Sequence, residues 1–224
     1  MASLLKKMFN PNKKRIKKLR ERALEIDSLK DQIAALSDDE LRAKTKEFQA
    51  KIQAEPDRIK QDEIIDSILN EAFAVCREAA KRVLNQFPYI VQIMGALALQ
   101  DGDIAEMKTG EGKTLTATMA VYTNALSGRG VHVVTVNEYL VQRDARYCAQ
   151  ALNPLGITVG YNLTSFTSNQ KREMFACDIT YTTNSELGFD YLRDNMVNKY
   201  EDKVIRDIFC PNFSWFLMIS ITSN

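Results

Sequence analysis

The residues whose spacing carries the most chemistry are Met107-Lys108-Thr109-Gly110-Glu111-Gly112-Lys113-Thr114. Two glycines one residue apart let the backbone curl until successive amides face a single anion. A helix that starts just beyond them adds the positive end of its dipole. Together these make a phosphate cradle, in which Lys113 reaches the β- and γ-phosphates of a nucleoside triphosphate and the Thr114 hydroxyl ligates Mg²⁺. The general pattern has a glycine five positions before Gly112, and Met107 stands there instead. The competing reading is a glycine-rich turn followed by a stray Gly-Lys-Thr. The upstream acids Asp101, Asp103 and Glu106 read as a solvated turn rather than as metal ligands.

Such a cradle needs a strand before it and a helix after it. The patterning predicts a strand over Ile104–Met107 and a helix over Lys113–Leu126. Further strands are expected at Val131–Val136, Ile157–Tyr161 and Asp178–Thr182, alternating with helices at Glu138–Leu152, Asn169–Phe175 and Ser185–Asn195. This alternation predicts βα units and a parallel sheet, whose ligands bind beyond the carboxyl ends of the strands. Gly128, Gly130 and Pro154-Leu155-Gly156 supply the turns. Upstream, residues 12–54 read as helix with a break at Leu36–Glu40, where Ser37 and Glu40 have the spacing of a capping box. Pro56 closes that stretch. A wide apolar stripe from Ile64 to Leu84 marks a second helical block over Glu63–Phe87, ended by Pro88.

At 224 residues the chain is long enough for one or two domains, and its 45% hydrophobic and 26% charged residues exclude a disordered chain. No apolar run approaches the roughly 18 residues of a membrane span, and Lys6-Lys7 interrupts Leu4-Leu5 before any secretory h-region forms. Cys76, Cys148, Cys177 and Cys210 are 72, 29 and 33 residues apart, which fits separate thiols in a reducing cytosol. His132 is the single histidine, too few for a histidine metal centre or for ordinary histidine acid–base chemistry. In an alternating strand it reads as a core residue.

The net charge of +1 conceals an asymmetry. Residues 1–22 hold nine basic side chains and one acid, Glu21, so they carry +8 and the remainder −7. Ile16, Leu19, Ala23 and Ile26 recur at helical steps beside that charge. A basic amphipathic helix of this type lies on anionic lipid, or packs its stripe on its own domain, or meets nucleic acid.

Several segments resemble the SecA family of preprotein translocation ATPases. Val91-Gln92-Ile93-Met94-Gly95 resembles the family's adenine-recognising glutamine segment, and Ile104 through Leu115 its form of the phosphate loop, in which methionine replaces the first glycine. Gly130 through Leu140 with Arg143-Asp144, and Thr182 through Asn195, resemble two further segments of the same motor domain. The resemblance runs from the N-terminus to about Arg206. It implies an α/β architecture with a helical N-terminal region over 1–87, an incomplete parallel-sheet, RecA-like P-loop nucleotide-binding domain over 88–206, and a divergent tail over 207–224. It also implies ATP and Mg²⁺ as cofactors, with adenine contact by Gln92, phosphate contact by Gly110, Glu111, Gly112, Lys113 and Thr114, and Mg²⁺ at Thr114. The implied partners are the SecYEG channel, anionic membrane lipid and preproteins, with no nucleic acid expected. The implied location is cytoplasmic, with peripheral attachment to the membrane's cytoplasmic face.

The match stops where hydrolysis would need carboxylates for Mg²⁺ and for the attacking water. The family places an Asp-Glu-x-Asp cluster shortly after the position of Arg206, whereas Ile208–Asn224 contains no Asp or Glu. The expectation is a truncated motor with little or no ATPase activity of its own. The alternatives are a non-catalytic module that binds membrane or translocon, and a non-functional gene remnant. Suitable codons for Leu217–Ile221, read two bases later, encode an acidic run, so a shifted frame is one origin for the tail. The apolar run Phe213–Ile221 is expected to form an edge strand prone to aggregation.

Overall fold

The computed structural model describes residues 11–205 and 216–218. The segment from Leu4 to Phe9 and most of the divergent tail lie outside the described residues. Helix α1 (Pro11–Ser28) opens on a proline, whose fixed φ suits a first helical position, and is followed by the short α2 (Lys30–Ala34). The expected break comes next. Ser37 Oγ accepts the Glu40 amide at 3.2 Å, and the Ser37 amide donates to Glu40 Oε2 at 2.7 Å, which launches α3 (Asp38–Gln53). Helix α4 (Arg58–Leu84), capped by Asp57, is longer than its apolar stripe suggested and ends at Asn85 in the left-handed conformation, φ 54°.

Helix α4 is the central post. Every residue from Ala72 to Ala80 is buried, because α1, α2 and α3 cover one side while α6 (Lys113–Ala125) and α7 (Glu138–Leu152) cover another. One apolar cluster consequently runs from Ala23 through Phe48, Phe73, Leu97 and Tyr122 to Tyr181. The buried Tyr122 hydroxyl pairs with Thr45 Oγ1 at 2.8 Å, satisfying both polar groups. Of the α1 stripe, Ala23 and Ile26 are buried in this core, Leu19 packs at its edge, and Ile16 is exposed. Lys13, Lys14, Lys17, Lys18 and Arg20 remain on the solvent side.

The parallel sheet has the order β2-β3-β1-β4, built from β1 (Val131–Thr135), β2 (Val159–Tyr161), β3 (Ile179–Thr183) and β4 (Phe216–Met218). Val131 to Thr135 pair in step with Ile179 to Thr183, and every residue of both strands is buried, as expected when helices cover both faces. Val131 and Val133 belong to the large core, while Val134 joins Phe175 of α8 (Ser168–Phe175) and Leu187 of α9 (Asn184–Asp194) in a smaller one. The expected strand in the tail is present as β4, paired with β1 at the sheet edge.

One expected element is absent. Residues 104–107 form no strand among the described residues, and Ile104 is 96% exposed. A strand exists only through its neighbours, and none of the four strands pairs with this segment. Smaller shifts have local causes. Asp178 precedes β3 because its carboxylate is engaged by the Thr158 amide at 2.8 Å and hydroxyl at 2.7 Å, and Val136 leaves β1 where the chain turns outward.

His132 is buried in β1, its ring 5.4 Å from that of Phe175. Burial pushes its pKa down from 6.5 to about 4, so the folded protein holds it neutral. The unfolded chain takes up a proton below pH 6.5 that the folded chain refuses until about pH 4, so stability is full above 6.5 and declines through that window. Urea unfolding is expected to show a loss of about 2 kcal/mol between pH 7.5 and pH 5, ahead of most carboxylate titration. His132→Phe should flatten that decline; an unchanged pH slope in the variant would assign it to other groups.

Candidate phosphate-binding site

Two anchored segments position the loop. Arg77, fully buried on α4, donates to Asp27 Oδ1 and to the Pro88 carbonyl, both at 2.9 Å, and lies 4.1 Å from the Phe87 ring centroid. It thereby fixes the turn that launches α5 (Ile90–Gln100). At the far end of α5, Arg15 of α1 pairs with Asp101 at 2.5 Å and Asp103 at 2.8 Å, tying down the chain that leads to the loop. Asp101 and Asp103 are thus ion-pair partners, whereas the sequence suggested only a solvated turn.

The loop itself is closed by Glu111. Its amide donates to the Lys108 carbonyl at 3.2 Å, and its Oε2 accepts the Lys108 amide at 2.7 Å. Gly110 (φ 85°) and Gly112 (φ 81°) both occupy the left-handed region, which side-chain-bearing residues disfavour. A Cβ on Gly110 would meet nothing within 4 Å, so the backbone is open to a ligand there. A Cβ on Gly112 would come within 2.3 Å of Gln92 Nε2. Met107, at the position of the missing first glycine, lodges its sulfur 3.5 Å from where a Cβ on Gly95 of α5 would sit.

Gln92 is buried and used at both ends. Its Oε1 accepts the Tyr89 amide at 2.8 Å, and its Nε2 donates to the Glu111 carbonyl at 2.9 Å. The structure therefore brings Gln92 onto the loop with Gly110, Glu111, Gly112, Lys113 and Thr114, although they lie 18 to 22 positions further along the sequence. An amide retains a second N–H and a second lone pair after two such bonds, a donor–acceptor pair that complements the N6/N7 edge of adenine.

Helix α6 begins at Gly112 without a side-chain cap. By contrast Ser37, Asp57, Asn137, Thr167 and Thr183 each accept a first-turn amide at their own helices. First-turn amides have no i−4 carbonyl to bond, and a phosphate is a suitable acceptor for them. The Thr114 hydroxyl donates to Asp144 Oδ1 on α7 at 3.4 Å. The residues present fit a nucleotide phosphate and its divalent ion: left-handed glycines, an uncapped helix start, a lysine and a hydroxyl lie within five consecutive positions.

A second polar cluster lies beyond the carboxyl ends of β2 and β3, and sequence reasoning missed it. Lys171 donates to Glu186 and to both Asp190 oxygens at 2.8 and 2.9 Å. Asn162 donates to Asp190 at 2.7 Å, and the Thr164 hydroxyl to Glu186 at 3.0 Å. Arg193 reaches Asp190 at 2.8 Å from the solvent side. Burial works to raise the Glu186 pKa, but the donors from Lys171 and Thr164 overcome it and the net shift is downward. The available signal was the spacing of Glu186, Asp190 and Arg193, which puts all three on one helical face.

The SecA DEAD-like domain matches residues 5–211, most of the chain and all the elements that build the loop. That family binds ATP and works with translocon and preprotein partners in general, and the helices and parallel sheet described here agree with it. The chain belongs to the SecA DEAD-like domain family.

Proposed function

We propose that this chain binds ATP and ADP with Mg²⁺ through Gly110–Thr114. In this reading it is part of the motor that drives preproteins through the SecYEG channel, with little hydrolysis of its own. Residues 88–206 are its nucleotide-binding part, and residues 1–87 its N-terminal region, whose described helices from Pro11 to Leu84 brace it. Gln92 reads the adenine, the loop amides and Lys113 hold the phosphates, and Thr114 offers its hydroxyl to Mg²⁺. The ion supplies charge neutralisation between the phosphate oxygens. The observation that carries the reading is the pair of left-handed glycines opening an uncapped α6, with Gln92 fastened to the carbonyl between them.

Low turnover by residues 1–224 alone is proposed because Ile208–Asn224, where the family resemblance leads one to expect an Asp-Glu-x-Asp cluster, supplies no Asp or Glu. The exposed Lys13, Lys14, Lys17, Lys18 and Arg20 on α1 form a cationic surface suited to anionic lipid, which supports peripheral attachment on the cytoplasmic side. No helix of the described residues is long and apolar enough to cross a membrane.

Calorimetric titration of the 224-residue chain with Mg·ATP tests the site. Saturable one-site binding is expected for the native sequence, and its loss in Lys113→Ala. An absence of heat at millimolar nucleotide would remove the reading, and steady turnover that vanishes in Lys113→Ala would overturn the low-hydrolysis part alone.

A further inference from the structure

Asp144 has no part in the site as read from the sequence, yet its side chain is 2% exposed and touches the loop from a different helix. Its Oδ1 accepts the Thr114 hydroxyl at 3.4 Å and the Arg143 guanidinium through Nε at 2.9 Å and Nη2 at 2.8 Å. Its Oδ2 is buried and has no partner. A buried carboxylate oxygen without a donor is costly to keep, which points to a donor that arrives with a ligand.

We propose that Asp144 is a positioning residue for the divalent ion of the nucleotide site: it takes the Thr114 hydroxyl proton in a hydrogen bond and so turns the oxygen lone pairs toward the cation. This rests on the nucleotide-binding reading above. A hydroxyl that ligates a cation must direct its hydrogen away from the metal, and the hydrogen then needs an acceptor. Asp144 Oδ1 is that acceptor, and its negative charge makes the threonine oxygen a better ligand. Arg143, about half exposed, balances the carboxylate when the ion is absent. Oδ2 is available to a donor entering with the ion, such as a water of its coordination shell.

The experiment is ADP binding to the 224-residue chain by calorimetry, in Mg²⁺ and in EDTA. Asp144→Ala should lower the Mg²⁺-supported affinity about tenfold or more while the EDTA affinity stays unchanged. Asp144→Asn keeps an acceptor oxygen without the charge and should lose an intermediate amount; it decides the matter if Asp144→Ala does not fold. Thr114→Val combined with Asp144→Ala should lose no more than Thr114→Val alone, because both remove the same hydrogen bond. Equal losses with and without Mg²⁺, or additive losses in the double variant, would overturn the role of Asp144 while leaving nucleotide binding intact. A native chain that binds no ADP in either buffer overturns both readings together.

Discussion

Lys171→Met is expected to destabilise the chain by about 3–5 kcal/mol, seen as a lower urea midpoint with an unchanged slope. Lys171 is 5% exposed and faces Glu186 and Asp190, which are 4% and 1% exposed. Removing the ammonium leaves two buried carboxylates with one cation, Arg193, whose side chain is 59% exposed and therefore well screened. Methionine preserves the bulk of the lysine stem, so lost packing contributes little. The attribution to charge is checked in two ways. Adding Glu186→Gln and Asp190→Asn to Lys171→Met should recover much of the loss, since neutral amides tolerate burial without a cation. The gap between native and Lys171→Met chains should also shrink on acidification. The Glu186 carboxyl is held below its usual 4.5 in the native fold, so its contribution is present above that pH and fades as pH falls through the lower folded value. A gap independent of pH would mean that Lys171 matters through packing. The cluster fastens α8 to α9 beyond the ends of β2 and β3, so its loss should loosen the carboxyl-terminal end of the sheet first.

What could be read from the sequence was whatever depends on local chemistry. The Ser37–Glu40 capping box needs only the spacing of a hydroxyl and a carboxylate, and both of its bonds are present. Helix Glu138–Leu152 falls where the alternation of strands and helices places it, and the structure opens it with Asn137, whose side chain accepts the Leu140 amide. The loop's conformation was legible because its glycines are required by the backbone rather than by distant contacts, and both adopt positive φ. The segment Ile104–Met107 misled because its place before a glycine loop suggests a strand without showing that a neighbouring strand exists to pair with it. Gln92 was indicated by resemblance alone; its bond to Glu111 spans 19 residues, and no periodicity encodes it. Asp144 beside Thr114 and Lys171 between two carboxylates arise from tertiary placement of separate helices; the helical spacing of Glu186, Asp190 and Arg193 marks a shared face but not the lysine that meets it.

Gly110→Ala and Gly112→Ala should behave differently although the two glycines have nearly the same φ. At Gly110 a methyl group meets nothing within 4 Å, so only the left-handed backbone is penalised, by about 1–2 kcal/mol. At Gly112 the same backbone term applies, and the methyl group also intrudes to 2.3 Å from Gln92 Nε2. Gln92 must swing away, breaking its bonds to the Tyr89 amide and the Glu111 carbonyl, each worth about 1 kcal/mol. Gly112→Ala is therefore expected to lose about 3–4 kcal/mol, roughly twice the loss at Gly110, and to lose protection of the fold by Mg·ADP in thermal unfolding. The clash can be isolated by removing its other half. Gln92→Ala alone loses the two hydrogen bonds, about 2 kcal/mol, and in combination with Gly112→Ala the methyl group has nothing left to displace. The double variant should then be no less stable than Gly112→Ala itself, a coupling of about 2 kcal/mol between the two positions. Equal losses at Gly110 and Gly112, or strict additivity with Gln92→Ala, would show that Gln92 does not rest on the loop. Sub-additivity confined to Gly112 would show that the glutamine and the loop are one mechanical unit, in which the Gln92 amide and the loop backbone cannot move independently.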